Sequence, residues 1–451
     1  MKVIILLVMA TMIAGTLLAG TIVAGAVESS DFDNPTVCKG CHGEIYNQWD
    51  GSMHSIAYTD PVYLADAEMA SRETDGLTDT YCARCHTPIG VLSGEVPPIG
   101  LENLSEISKK GVQCDFCHSV NKSTGIGNGA FMVSTDGIKR GPYDDSKSPY
   151  HGSMFSDLHT KSEFCGMCHD VNHPVTGIPI EATYTEWKEG PYNSTTVCQD
   201  CHMTPGITHF EANPGKASGI GPYRDNVYTH YFVGGNAAVT GVMGSEVHQS
   251  MAEQRLKSAA MLALEAEMND TNAKITVKVT NAGAGHKLPT GLAEARQVWI
   301  EILVKDASGK EIYHSGGLDS EGEVDPDAVI YHEVLGDALG NPTMKVWEAE
   351  SILFDNRILP KEARVEKYNF AIPGGLKGPI AVDAKLNYRS ASQKFLDELF
   401  GEGAVVAPVI EMAGAQDMME VENEPEVPGF ECIFVLISLL AVAYLIRRNG
   451  K

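Results

Sequence analysis

The pattern of apolar and polar positions divides the chain into stretches of different character. Val3 to Ala26 is apolar, carries small residues throughout and ends in Ala24-Gly25-Ala26 behind Lys2. This predicts a signal peptide over residues 1–26, with an uncleaved anchor as the alternative because the run is long. Residues 203–244 are rich in Gly, Pro and Asn and read as irregular structure. Glu246 to Met268 has helical composition, with Val247, Met251, Ala259, Leu262 and Ala266 roughly on one face. Strand-like runs follow: Ile275 to Val279, Val298 to Val304, Val329 to Val334, Arg364 to Ile372 and Ile380 to Tyr388. Turn residues such as Asp306 to Gly309 and Pro373 to Gly375 separate them. This predicts a cysteine-free all-β domain over 271–410, an immunoglobulin-like sandwich. An acidic, Pro-punctuated linker (411–429) then leads into an apolar run from Cys432 to Ile446, closed by Arg447, Arg448 and Lys451. Residues 430–451 read as a transmembrane or sorting segment whose cations stay cytoplasmic, leaving the body of the protein outside.

Composition narrows the partners. The 451 residues carry 34 Lys and Arg against 59 Asp and Glu, a formal charge of -25. That balance excludes nucleic acid, whose phosphates need clustered cations, and favours cationic partners.

Cysteine carries the chemistry. Ten of eleven cysteines lie in five copies of C-x-x-C-H: Cys38/Cys41/His42, Cys82/Cys85/His86, Cys114/Cys117/His118, Cys165/Cys168/His169 and Cys198/Cys201/His202. Two thiols one helical turn apart can each add to a haem vinyl group, while the adjacent imidazole reaches the iron as proximal ligand. Zinc ribbons and disulfides both use paired cysteines, but neither needs a histidine after each second one, five times over. Five covalent haem c groups are therefore expected.

The motifs occupy residues 38–202, or 33 residues per haem. So little chain cannot build a separate apolar core around each haem, so the haems themselves are expected to form the core of a largely helical or irregular domain over 27–270. Close packing of redox centres is what conduction requires. First-cysteine separations of 44, 32, 51 and 33 pair the second and third motifs with the fourth and fifth, as a duplicated two-haem module would.

The second axial ligand separates a carrier from a catalyst. Ten histidines lie outside the motifs, eight of them before or bordering the β domain. Context favours His54 near an aromatic pair, His151 in SPYHGSMF, His230 between aromatics and glycines, and His286 in the Gly/Pro-bounded loop NAGAGHKLPTG. The fifth place is contested by His159, His173, His209 and His248, with His159 preferred. Methionine is the alternative ligand. Four N-x-S/T sequons, at Asn103, Asn121, Asn193 and Asn269, are candidate glycosylation acceptors that chance explains nearly as well.

CKGCHGEIYNQWDGSMHSIAY, SEFCGMCHDVNHPVTG, YTEWKEGPYNSTTVCQDCHM, THYFVGGN and AGHKLPTG resemble the multihaem cytochromes related to the tetrahaem electron carrier of the hydroxylamine pathway (cytochrome c-554-like), over roughly residues 36–395. The resemblance implies electron transfer through mostly bis-histidine haems in stacked and angled pairs, and in some relatives extracellular electron export. The tail PGFECIFVLISLLAVAYLIRRNGK resembles archaeal PGF-CTERM sorting signals, implying a surface protein whose hydrophobic segment is exchanged for a lipid. The function expected is a surface-anchored conduit between a membrane pool and an extracellular acceptor or partner cytochromes, with a homopolymeric haem filament as a narrower variant. The alternative is an oxidoreductase acting on a small nitrogen or sulfur compound at a five-coordinate haem.

Overall fold

The computed structural model describes residues 27–206, 209–269 and 271–421. The expected signal (1–26), the remainder of the linker and the C-terminal segment (430–451) lie outside the described residues. Among the described residues no helix is long and apolar enough to cross a membrane. The chain divides into two compact units, Met1–Cys168 with Ala212–Phe232, and His169–Glu211 with Val233–Lys451. The division falls inside the fourth C-x-x-C-H motif, not at the expected boundary near residue 270.

The first unit is built from short helices: α1 (Pro35–Lys39), α2 (Gly43–Trp49), α3 (Pro61–Glu73), α4 (Asp79–His86), α5 (Pro88–Leu92), α6 (Cys114–Ser119) and α7 (Ser162–Gly166). Three of them begin with proline at the first turn, where its missing N–H costs nothing. The Asn34 side chain caps α1 by accepting from Thr36 N at 3.1 Å, and Asp60 caps α3. Apolar packing here is sparse. One cluster joins Phe32, Ile89, Phe116, Val120, Phe131 and Met167, and another joins Tyr58, Ala83, Val96 and Leu104.

The second unit contains helices α8 (Thr183–Glu189), α9 (Cys198–His202), α10 (Ala237–Val242), α11 (Glu246–Ala259) and α12 (Gln393–Phe400). Its β-rich part has eleven strands: β1 (Ala260–Met268), β2 (Asn272–Asn281), β3 (Gln297–Lys305), β4 (Glu311–Ser315), β5 (Ile330–Tyr331), β6 (Glu333–Gly336), β7 (Pro342–Thr343), β8 (Ser351–Asp355), β9 (Ala363–Ala371), β10 (Ile380–Arg389) and β11 (Ile410–Met419). They form one sheet in the order β9-β2-β1, a second in the order β4-β3-β10-β11 with β5 on β3, and a third in the order β7-β6-β8. The register places Ile275 opposite Tyr368 and Ala266, and Ile300 opposite Leu386. Alternate residues of β2 and β3 then point into one shared core holding Ile275, Val277, Val279, Val298, Ile300, Ile302, Val304, Val382 and Leu386.

Three local expectations are corrected. Glu246 to Met268 is not one helix: α11 ends at Ala259, and Ala260–Met268 runs on as β1. AMLALEAEM also alternates with period two, and pairing with β2 along its whole length favours the strand. The acidic stretch from Glu411 does not begin as a linker, because Ile410–Met419 pairs with β10 and buries Met412 and Met419. Val329 to Val334 is not one strand. The Asn356 side chain accepts from His332 N at 3.0 Å and donates to the Ile330 carbonyl at 2.8 Å, and the chain passes from the second sheet to the third across this clasp.

Candidate haem sites

Each C-x-x-C-H motif is wound into a helical turn. In the first, Cys41 N and His42 N both donate to the Cys38 carbonyl, at 3.1 and 2.8 Å. Cys82 to His86 close α4, Cys114 to His118 open α6, Cys198 to His202 form all of α9, and Cys168 N donates to Cys165 O at 3.1 Å. Residues three and four apart share a helix face, so both thiols and the imidazole of each motif face the same way. Within the first unit Cys38 lies beside Cys114, and Cys85 beside Cys168. The first motif thus adjoins the third and the second adjoins the fourth.

Four motif histidines share a hydrogen-bond pattern. Nδ1 faces a backbone carbonyl in His42 (Ala217, 2.7 Å), His86 (Ala57, 2.8 Å), His118 (Arg140, 2.5 Å) and His202 (Val233, 2.9 Å). A carbonyl only accepts, so Nδ1 carries the proton and Nε2 keeps the lone pair a metal needs. In the fourth motif the His169 Nδ1 faces the Glu181 carboxylate at 3.3 Å. Burial pushes the His202 pKa down to about 3 and lowers that of His118, so both rings stay neutral.

Of the second-ligand candidates, His286 is placed most clearly. Its ring lies nearly parallel to that of His202, at 16°, with centroids 6.4 Å apart. Two imidazole nitrogens bound in line to one metal, at about 2 Å each, set ring centroids about 6 Å apart. The His286 Nδ1–H donates to the Lys287 carbonyl (3.0 Å), and burial lowers the ring's pKa. Its backbone is clamped on both sides. Asn281 Nδ2 donates to the His286 carbonyl (2.8 Å) and to Ile358 O (3.0 Å). Glu186 on α8 accepts from Lys287 N (3.1 Å) and from the Thr290 hydroxyl (2.7 Å). The loop follows the second strand of the β region, not the first as the sequence suggests.

His159 stacks near His118, with centroids 5.8 Å apart at 13°, and burial pushes its pKa down to about 4. It differs from His286 in that Nε2 lies 3.1 Å from the Cys117 carbonyl and Nδ1 2.8 Å from the Ser156 hydroxyl. His230 is also held neutral, burial pushing it to about 4; its Nδ1 donates to Tyr228 O at 3.0 Å and its backbone N–H to Gln48. Phe232 touches the rings of both His230 and His54. The His54 carbonyl is approached so closely by Gly111 (φ +63°) that a Cβ there would lie 2.5 Å from the oxygen. Only glycine fits, and Val112 N then donates to that carbonyl (2.9 Å), laying the His54 turn against the entry to the third motif. His151 bonds its Nδ1 to Gly152 O near the surface. His173 has both ring nitrogens engaged, with Val175 N, Thr176 N and Trp347 O, and His209 is exposed. His248 is buried, with Nδ1 2.6 Å from the Ser245 hydroxyl.

Four contributors were not visible in the sequence. Glu186 and Asn281 hold the His286 loop, Tyr63 stacks on His86 at 3.7 Å and 3°, and Arg255 donates to the Cys201 carbonyl at 2.7 Å. Among the described residues the Tyr63 hydroxyl and Arg255 Nε are buried without hydrogen-bond partners. Both lie beside C-x-x-C-H cysteines, Tyr63 near Cys82 and Cys85. In the fifth motif the cysteine pair, the neutral His202 ring and the orphaned Arg255 Nε lie together, a donor set that fits a haem with acidic side groups.

Comparison with known proteins agrees. Residues 37–119, spanning the first three motifs, match the model of the cytochrome c554 and c-prime family, a narrower span than the resemblance read over 36–395. Residues 427–449 match the PGF-CTERM motif, which marks a surface anchor on the cell exterior. The chain is similar in fold to a pentahaem cytochrome c552 from Thermochromatium tepidum, at 22% identity and a TM-score of 0.63, covering 86% of this chain and 99% of that one. A CARDB domain from Pyrococcus furiosus (15% identity, 36% of this chain and 85% of that one, TM-score 0.16) and an ApaA protein from Bordetella pertussis (8%, 37% and 94%, 0.17) are too distant in fold to carry an argument. Comparison with curated proteins finds no match. The family match over the first three motifs, the pentahaem-cytochrome-like fold and the tail motif together support a multihaem c-type cytochrome with an archaeal-type surface anchor.

Proposed function

We propose that the chain binds five haem c groups and carries electrons at the cell surface between a membrane pool and extracellular acceptors or partner cytochromes. The observation that carries this reading is the His202/His286 pair. It sets two neutral imidazoles, each with Nδ1 anchored and Nε2 free, at the separation two axial ligands require. Bound haem supplies one-electron chemistry at iron. The chain's residues attach it through the ten motif cysteines, with His42, His86, His118, His169 and His202 as proximal ligands. His54, His151, His159, His230 and His286 would supply the second ligands, and burial around the last three keeps their rings from taking up a proton. The haem-binding segment is 27–259. The β region over 260–419 is an immunoglobulin-like sandwich, supported by two sheets that share one core, and it spaces or docks the haem segment. Motif density also favours copies stacked end to end into a filament.

The purified protein should run heavier than its sequence by five haem masses, and low-temperature spin-state spectroscopy should count five low-spin irons. Four or fewer covalent haems would mean a misread motif. A high-spin signal that shifts with nitrite, hydroxylamine or cyanide would favour an oxidoreductase instead.

A further inference from the structure

Arg255 is a cation with no carboxylate partner among the described residues. It lies on α11, its Nη2 donates to the Cys201 carbonyl, and its Nε is buried with no hydrogen-bond partner. Among the described residues no carboxylate acts on it, and burial depresses its pKa. That is out of keeping with the rest of the chain, where acidic residues outnumber basic ones 59 to 34. The buried arginines Arg140, Arg357 and Arg389 each reach at least one carboxylate, at 2.7, 2.7 and 3.4 Å. Arg255 is half-buried, but its Nε is out of water, and an unpaired buried donor calls for an explanation. The place supplies one. Cys201 is a haem-attaching cysteine, and the positive charge of Arg255 acts on both His202 and His286.

We infer that Arg255 binds a propionate carboxylate of the haem attached at Cys198 and Cys201, with Nε as donor, and thereby holds that haem's reduction potential up. The inference rests on the reading that His202 and His286 ligate this iron. A carboxylate stripped of its guanidinium leaves negative charge beside the iron, which favours the ferric state. The guanidinium offers a planar fork that a lysine does not reproduce, so Arg255→Lys keeps the charge while loosening the contact.

The test is a spectroscopic redox titration of the holoprotein. His286→Ala first identifies this haem as the one that turns high-spin. Arg255→Gln should then lower its reduced-to-oxidised ratio at fixed potential about tenfold, which is about 59 mV for one electron, leaving the other four unmoved. Arg255→Lys should fall between. A structure of the wild-type holoprotein should place a propionate oxygen within about 3.2 Å of Arg255 Nε, a result independent of how any variant folds. An unmoved potential in Arg255→Gln, or all carboxylates beyond about 4 Å, overturns the inference. If His286→Ala leaves every iron low-spin, the ligand reading fails instead, and the distance alone then decides the Arg255 contact.

Discussion

A histidine that binds iron must be neutral and aimed, and the two requirements leave different marks on a residue. Neutrality comes from burial, seen in the lowered pKa of His118, His159, His202, His230 and His286. Aim comes from a hydrogen bond that spends Nδ1 and frees Nε2. His173 and His159 each have both nitrogens engaged in the haem-free chain, so His159, which is neutral, would have to release the Cys117 carbonyl to bind iron, and His314 fails on setting, lying between Glu301 and Glu311. His286→Ala should therefore turn one iron from low-spin to high-spin and move one potential, while His314→Ala should do neither. The acid limit follows from His202. Its folded pKa of about 3 lies below the unfolded value of about 6.5. The neutral folded form thus contributes stability that is fully present above about pH 6.5 and is lost as pH falls through about 3. A denaturation series of the haem-free chain across that range should show stability declining with acid. His202→Ala in the haem-free chain should flatten the decline.

At the scale of elements, the decisive contact joins a short helix to the β region inside one unit. Arg357 donates to Glu186 on α8 (2.7 Å), to Glu333 on β6 (2.8 Å) and to Asp355 at the end of β8 (3.0 Å), and all but Asp355 are nearly wholly buried. Burial raises the Asp355 pKa, but bonds from Arg357 and Lys287 more than offset this and hold it well below the usual carboxylate range. Arg357→Met would leave Glu186 and Glu333 buried and uncompensated, at a cost of about 3–5 kcal/mol. Chemical denaturation should report that loss, with the β-rich unit unfolding first. The same network explains why residues 169–211 group with the β region although their motifs announce haem. Strands β2, β3, β9 and β10 were legible because their alternation is strong and flanked by turns. β1 was hidden because its alanines and leucines satisfy two periods at once, and β11 because its acidic residues suggested solvent while its pairing with β10 supplied the order.

For the whole molecule, the motif order in the chain is not the order in space. Spacing pairs the second motif with the third, whereas the thiol contacts bring the first to the third and the second to the fourth. Loops between short helices permit that interleaving because no large apolar core in the first unit dictates the path. The surface anchor sets the orientation, with the haem motifs on the outside of the cell. Mature surface protein should lack peptides after about Phe430 if the PGF-CTERM segment is exchanged for a lipid. Mass spectrometry of membrane-extracted protein checks this, and recovery of the terminal basic residues would indicate a retained anchor. With a formal charge of -25, association with a cationic redox partner should slow as ionic strength rises.

The five C-x-x-C-H motifs and the surface-anchor motif were legible in the sequence alone, because covalent attachment and sorting read short contiguous patterns. The β-rich character was legible for the same reason: alternation is a local property. The choice among ten spare histidines was not, since a ligand is selected by burial, by the bond that occupies its other nitrogen and by the ring opposite. His286 was favoured by its glycine-bounded loop, but only the fold supplies His202 at 6.4 Å, Asn281 and Glu186 on either side, and the unpaired charge of Arg255. All but Asn281 lie far from His286 in the chain, and nothing but tertiary packing brings them together.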